Sequence, residues 1–150
     1  MYNIEEVIKH RKPMRLVDEL ISFNESSACV LVNINEDSEF YQDAHQGVPS
    51  YLGIEYMAQC IAAQAGANEL ASGRELKLGF LLGTRRYKPM TTYFKRGITL
   101  KVTATRLMED AAGSSVFDCE IADYNQENTI LVQSKVNVFQ PEDSAAYLQD

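Results

Sequence analysis

Residues 50–71 form the one long stretch of this chain with the period of a helix. Tyr51, Ile54, Ala58, Ile61, Ala62 and Ala65 recur at three- and four-residue spacing. Pro49 suits the start of a helix, and Ser72-Gly73 supplies a stop. Ala58, Ala62, Ala63, Ala65, Gly66 and Ala67 let neighbouring backbone come close, so the helix is expected to be central and buried. Around it the chain reads as strands, at 16–23 and 28–34 before the helix and at 78–87, 98–107, 116–124 and 129–139 after it. The segment 98–107 is the clearest: Ile98, Leu100, Val102 and Ala104 alternate with Thr99, Lys101, Thr103 and Thr105. A short helical turn is expected at 4–9, closed ahead of Pro13. Turns of a few residues between strands imply antiparallel pairing. One long helix among six such strands buries its surface most economically against a curved antiparallel sheet. The expected class is α+β, in a single domain covering residues 1–150.

Charge and cysteine content narrow the function. The net charge of −7 argues against nonspecific nucleic-acid binding, which needs a basic footprint. Cys29, Cys60 and Cys119 are odd in number and widely spaced, and read as small buried hydrophobes in a reducing compartment. The N-terminal residues lack the pattern of a signal peptide, and no stretch has the apolar length of a membrane span. The expected location is therefore cytoplasmic. The basic residues are not evenly spread. Between Leu76 and Met108 there is no Asp or Glu, while Lys77, Arg85, Arg86, Lys88, Lys95, Arg96, Lys101 and Arg106 all fall there. Such a segment suits either a solvated face or an acidic partner.

The residues able to do chemistry gather at the start of the long helix. His45, in a loop just before it, is one of two histidines, and its ordinary pKa of about 6.5 fits a general base. Composition alone would leave it an exposed loop residue. Glu55 has Tyr51, Leu52, Ala58 and Gln59 as its helical neighbours, a largely apolar setting that favours a general acid. It could equally be a carboxylate satisfied by Gln59. The first N–H groups of the helix, at Ser50 and Tyr51, carry its positive end and could polarise a carbonyl. Dinucleotide, phosphate-loop and nucleophile-elbow motifs are missing from the sequence, and two histidines without clustered cysteines give no zinc set. No metal or other cofactor is expected.

The string from His45 through Pro-Ser-Tyr-Leu-Gly-Ile-Glu-Tyr-Met-Ala-Gln resembles the active-site segment of the hot-dog-fold β-hydroxyacyl-(acyl carrier protein) dehydratases. Two further strings match that family in the correct order. They are His10-Arg11-Lys12-Pro13-Met14-Arg15-Leu16-Val17-Asp18 and Phe80-Leu81-Leu82-Gly83 followed by Arg86-Tyr87-Lys88-Pro89. The string Leu-Gly-Thr-Arg-Arg-Tyr at 82–87 is similar to the branch of aryl-polyene pigment pathways. The resemblance implies a curved sheet around a central helix, and dimers, or hexamers made of dimers, whose site lies at the subunit interface. It implies that His45 takes the α-proton of a 3-hydroxyacyl thioester, that Glu55 helps the hydroxyl leave as water, and that the Ser50 N–H binds the thioester carbonyl. His10, in the first string, is expected to have a structural hydrogen-bonding role. Arg85, Arg86, Lys88, Lys95 and Arg96 become candidates for docking an acidic acyl carrier protein. Tyr87, Tyr93 and Phe94 could line an acyl tunnel, although core packing suits each of them as well.

The sequence departs from the family at two points. Ten positions rather than fourteen separate histidine from acid, and serine replaces glycine at Ser50. A hot-dog thioesterase and a noncatalytic acyl-binding partner of an active paralogue therefore remain as alternatives.

Overall fold

The computed structural model of the protein describes residues 1–141. Along the chain run α1 (Ile4–Val7), β1 (Glu19–Phe23), β2 (Ser27–Asn33), β3 (Gly47–Pro49) and α2 (Gly53–Ala71). They are followed by β4 (Phe80–Arg85), β5 (Tyr93–Lys95), β6 (Thr99–Glu109), β7 (Ser114–Asp123) and β8 (Thr129–Phe139). Six of the strands make one antiparallel sheet in the order β1-β2-β6-β7-β8-β4, and β3 pairs with β5 in a separate two-stranded ladder. The sheet wraps around α2, which is the hot-dog arrangement expected from the sequence. No helix among the described residues is long and apolar enough to cross a membrane.

Cross-strand register explains why these segments pair as they do. Val30 faces Val102, Val102 faces Ile121, and Ile121 faces Val132, so a row of β-branched side chains crosses four strands. All four are buried. Such pairs fit a pleated surface, and a slip of one residue would turn every one of them outward. Against this sheet α2 buries Tyr56, Met57, Cys60, Ala63 and Ala67. The helix lies so close that the Cys60 Sγ is 3.5 Å from the Ala28 carbonyl of β2 and 3.4 Å from the Val102 carbonyl of β6.

The small residues of α2 are needed on the other side too. A Cβ at Gly66 would strike the main-chain carbonyl of Val7, at the end of α1. The remaining face of α2, with Glu55, Ala58, Ala62 and Ala65, is only half-covered and lines a groove of about 560 Å³.

Two details differ from the sequence reading. The helix does not begin as an α-helix at Ser50: Ser50–Leu52 form a 3₁₀ turn and α2 proper starts at Gly53. The ladder β3–β5 was not anticipated, because three residues are too few to show a period. Its strands approach closely enough that a Cβ on Gly47 would meet the Phe94 carbonyl.

Cys29, Cys60 and Cys119 are free and buried, as expected. Burial pushes all three thiols up, to about 12 for Cys119, where the Asp118 carboxylate adds to the effect. An acid group whose folded pKa is raised stabilises the fold fully below its unfolded value, near 9.0 for cysteine. That contribution is lost as pH climbs through the folded value. Alkaline titration of the melting temperature should therefore show a decline that begins near pH 9 and steepens toward pH 12. All three thiols should resist a thiol reagent at pH 8 until denaturant is added. Gly66→Ala should cost about 1–3 kcal/mol in urea unfolding, because the Val7 carbonyl cannot yield without moving α1.

Candidate functional site

His45 sits on a turn that the main chain ties down. The Gln42 N–H donates to the Gly47 carbonyl at 2.8 Å, and the His45 N–H to the Gln42 carbonyl at 3.1 Å. Gln46 takes a left-handed conformation (φ 49°), and its carbonyl accepts from the Arg96 N–H at 2.9 Å. On β5, the Lys95 ammonium donates to the His45 carbonyl at 2.7 Å. The His45 ring stacks on Tyr93, with centroids 4.2 Å apart and planes 13° from parallel. The side chain is thus exposed to solvent on one face and oriented by an aromatic ring on the other.

Glu55 is anchored differently. It lies half-exposed on the open face of α2, and its Oε1 accepts a hydrogen bond from Gln59 Nε2 at 3.0 Å. Gln59 is completely buried and fully engaged. Its Nε2 also donates to the Met14 carbonyl at 2.8 Å, while its Oε1 accepts from the N–H groups of Leu16 (2.8 Å) and Val17 (3.3 Å). One amide therefore joins α2 to the segment before β1 and holds one carboxylate oxygen still. Among the described residues no hydrogen bond occupies the other oxygen, Oε2. The expected contact between Gln59 and Glu55 exists, but it fixes the carboxylate without covering it.

The histidine within 4 Å of Glu55 is His10, not His45. Its Nε2 is 3.8 Å from Glu55 Oε1, and both residues line the groove along α2. This corrects the expectation of a structural hydrogen-bonding role for His10: Nδ1 is buried and has no hydrogen-bond partner among the described residues. The sequence signal was present, since His10 heads a string similar to the family. Sequence distance hid its contact with α2.

The start of the helix needs a second correction. The Ser50 N–H, expected to be free for a carbonyl, donates to the Thr92 carbonyl at 2.9 Å. Pairing of β3 with β5 brings Thr92 there, next to the Pro49–Tyr93 pair. Tyr51, the second residue of the 3₁₀ turn, has an exposed side chain. Beneath the turn, the Tyr87 hydroxyl donates to the Ser50 carbonyl at 2.5 Å, and a Cβ on Gly53 would strike that hydroxyl. Burial pushes the Tyr87 phenol well above its ordinary range, which keeps it a donor. Tyr87 thus braces the turn, Phe94 is buried in the core beside Tyr56, and Tyr93 carries the histidine.

The basic residues divide as well. Arg96 is paired with Glu36 at 2.7 Å, and Lys95 is committed to the His45 carbonyl. Arg85, Arg86 and Lys88 are exposed at and beyond the end of β4, an edge strand whose Leu81 and Leu82 are also exposed.

The sequence pattern of ApeP-like dehydratases matches residues 2–149. The chain belongs to the ApeP-like dehydratase family. No curated protein has a sequence that matches it significantly. In three dimensions it is similar to the dehydratase heterocomplex ApeI:P from Xenorhabdus doucetiae, at 24% identity and a TM-score of 0.88, covering 100% of this chain and 99% of that one. It is also similar to the PaaI protein from the phenylacetic acid degradation operon of Escherichia coli (16% identity, TM-score 0.61, 80% of each chain). A hypothetical thioesterase with coenzyme A from Streptococcus pneumoniae TIGR4 resembles it too, at 11% identity and a TM-score of 0.63, over 81% of this chain and 84% of that one. At these identities the solved structures establish a shared hot-dog fold. Family membership rests on the sequence pattern.

Gln59→Leu should lower unfolding stability by about 2–4 kcal/mol in guanidinium titration. It leaves the N–H groups of Leu16 and Val17 and the Met14 carbonyl without their partner. Glu55→Gln keeps that partner set and should change stability by less than about 1 kcal/mol.

Proposed function

We propose that this protein removes water from a 3-hydroxyacyl thioester carried on acyl carrier protein, giving the trans-2-enoyl thioester. The observation that supports it most directly is Glu55. Its carboxylate has one oxygen fixed by a buried amide, the other without a hydrogen bond among the described residues, and a groove of about 560 Å³ beside it. In this reading Glu55 gives a proton to the departing hydroxyl, and His45 removes the α-proton. The N–H of Tyr51 at the helix start receives the thioester carbonyl, since that of Ser50 is engaged within the chain.

The base and the acid would come from different subunits. Within one protomer the histidine near Glu55 is His10, while the His45 ring is stacked on Tyr93. Edge strand β4, with exposed Leu81 and Leu82, is the natural place for a second subunit to add, as edge strands carry unpaired backbone groups. Either a homodimer, alone or assembled into hexamers, or a pair with a paralogue fits that edge. The carrier protein, being acidic, would be steered by Arg85, Arg86 and Lys88. The protein would work in a polyene pathway, the setting that the family resemblance implies.

A second reading has its own support. One structural neighbour is named a dehydratase heterocomplex, and exposure of His45 fits a subunit that lends its histidine to another chain's acid. Mass spectrometry of a 3-hydroxyacyl carrier thioester after incubation decides among the readings. Loss of one water supports dehydration, and release of the free acid supports thioesterase action. An unchanged thioester with the protein alone, but loss of water with a paralogue added, supports the partner role. With the active assembly, His45→Ala and Glu55→Gln should each slow dehydration about 10²- to 10⁴-fold. Full activity of His45→Ala would sink the mechanism.

A further inference from the structure

A proton balance is left open by the proposed reaction. When water leaves, Glu55 has lost its proton and the base has gained one, so the carboxylate must be recharged before the next turnover. Only one other titratable side chain in the described protomer lies within ion-pair reach of it: His10, with Nε2 3.8 Å from Glu55 Oε1. Of the other charged side chains lining the groove, Arg74 pairs with Glu69 at 2.7 Å and Arg106 with Glu109 at 3.1 Å, while Glu25 and Lys77 form no ion pair with Glu55. Arg11 donates to the carbonyl of His10 at 2.9 Å, and its guanidinium is turned to main-chain oxygens and to Glu5.

The two nitrogens of His10 are unlike. Nδ1 is buried and has no hydrogen-bond partner among the described residues, so it has nothing with which to exchange a proton. Proton exchange is therefore confined to Nε2, the nitrogen that faces Glu55. The His10 side chain is 32% exposed, so that same edge reaches solvent.

We infer that His10 is a positioning residue that returns the proton to Glu55. This rests on the reading of Glu55 as the acid. The Nε2–H bond of the imidazolium breaks and an O–H bond forms on the carboxylate; the neutral ring, which keeps its Nδ1 proton, is recharged at Nε2 by the proton that the base has returned to solvent. No other reactant is needed. In this role His10 acts through the carboxylate.

The test uses the active assembly and a 3-hydroxyacyl carrier thioester, comparing wild type, His10→Gln, His10→Asn, Glu55→Gln and the double variant His10→Gln/Glu55→Gln. His10→Gln should lower kcat about tenfold, less than the 10²- to 10⁴-fold of an acid or base itself, and leave KM within about twofold. Added imidazole should restore part of the kcat of His10→Asn, which opens space on the solvent side. In the double variant the His10 substitution should add nothing to the loss from Glu55→Gln. Wild-type kcat in folded His10→Gln, with Glu55→Gln inactive, would overturn the role of His10 and leave the acid in place. A rise in KM in step with the fall in kcat, unaffected by imidazole, would make His10 structural and also overturn it. Retained activity in Glu55→Gln would overturn both readings at once.

Discussion

Close contact between α2 and the sheet is the constraint on which the remaining structure depends. The Cys60 sulfur within 3.5 Å of two strand carbonyls sets how near the helix lies, and only small residues along the helix permit it. From that distance the rest follows. Tyr56 and Met57 fill the space between helix and strands, Gly66 lets α1 close one end, and the open face of the helix is left as a groove. A bulkier helix would have pushed the sheet away and lost the buried row of Val30, Val102, Ile121 and Val132.

The fold was legible because its periods are long. Nineteen residues of α2 and eleven-residue strands such as β6 and β8 give enough repeats for helix and strand to separate, and all six main strands and their antiparallel pairing emerged, though not their order in the sheet. The ladder of β3 and β5 carried no such signal. Its existence depends on Gly47 meeting Phe94 across almost fifty residues, and tertiary contacts of that kind have no local trace. That one omission had consequences for the site, because the same ladder brings Thr92 to the Ser50 N–H and Tyr93 beneath His45.

The candidate site was half legible for a related reason. Glu55 stood out by its apolar helical neighbours, and Gln59, one turn on, was visible as its possible partner. That Gln59 would spend three further hydrogen bonds on residues 14–17 was not, since those residues meet α2 only after folding. His10 was misread for the same cause: its position in the chain said nothing of the carboxylate it would face. Residues that act through neighbours in sequence can be found by spacing, whereas those that act through neighbours in space cannot.

Anchoring Glu55 through Gln59 has a mechanical consequence. The proposed acid is one fixed jaw, tied to the body of its subunit, and the proposed base is another, its ring stacked on Tyr93 and its carbonyl held by Lys95. If the jaws belong to different subunits that join along β4, their alignment is decided by how two strand edges meet. A slip of one residue there moves one jaw by about 3.4 Å, more than proton transfer tolerates. Strand register between subunits would then act as an all-or-none setting of the active site.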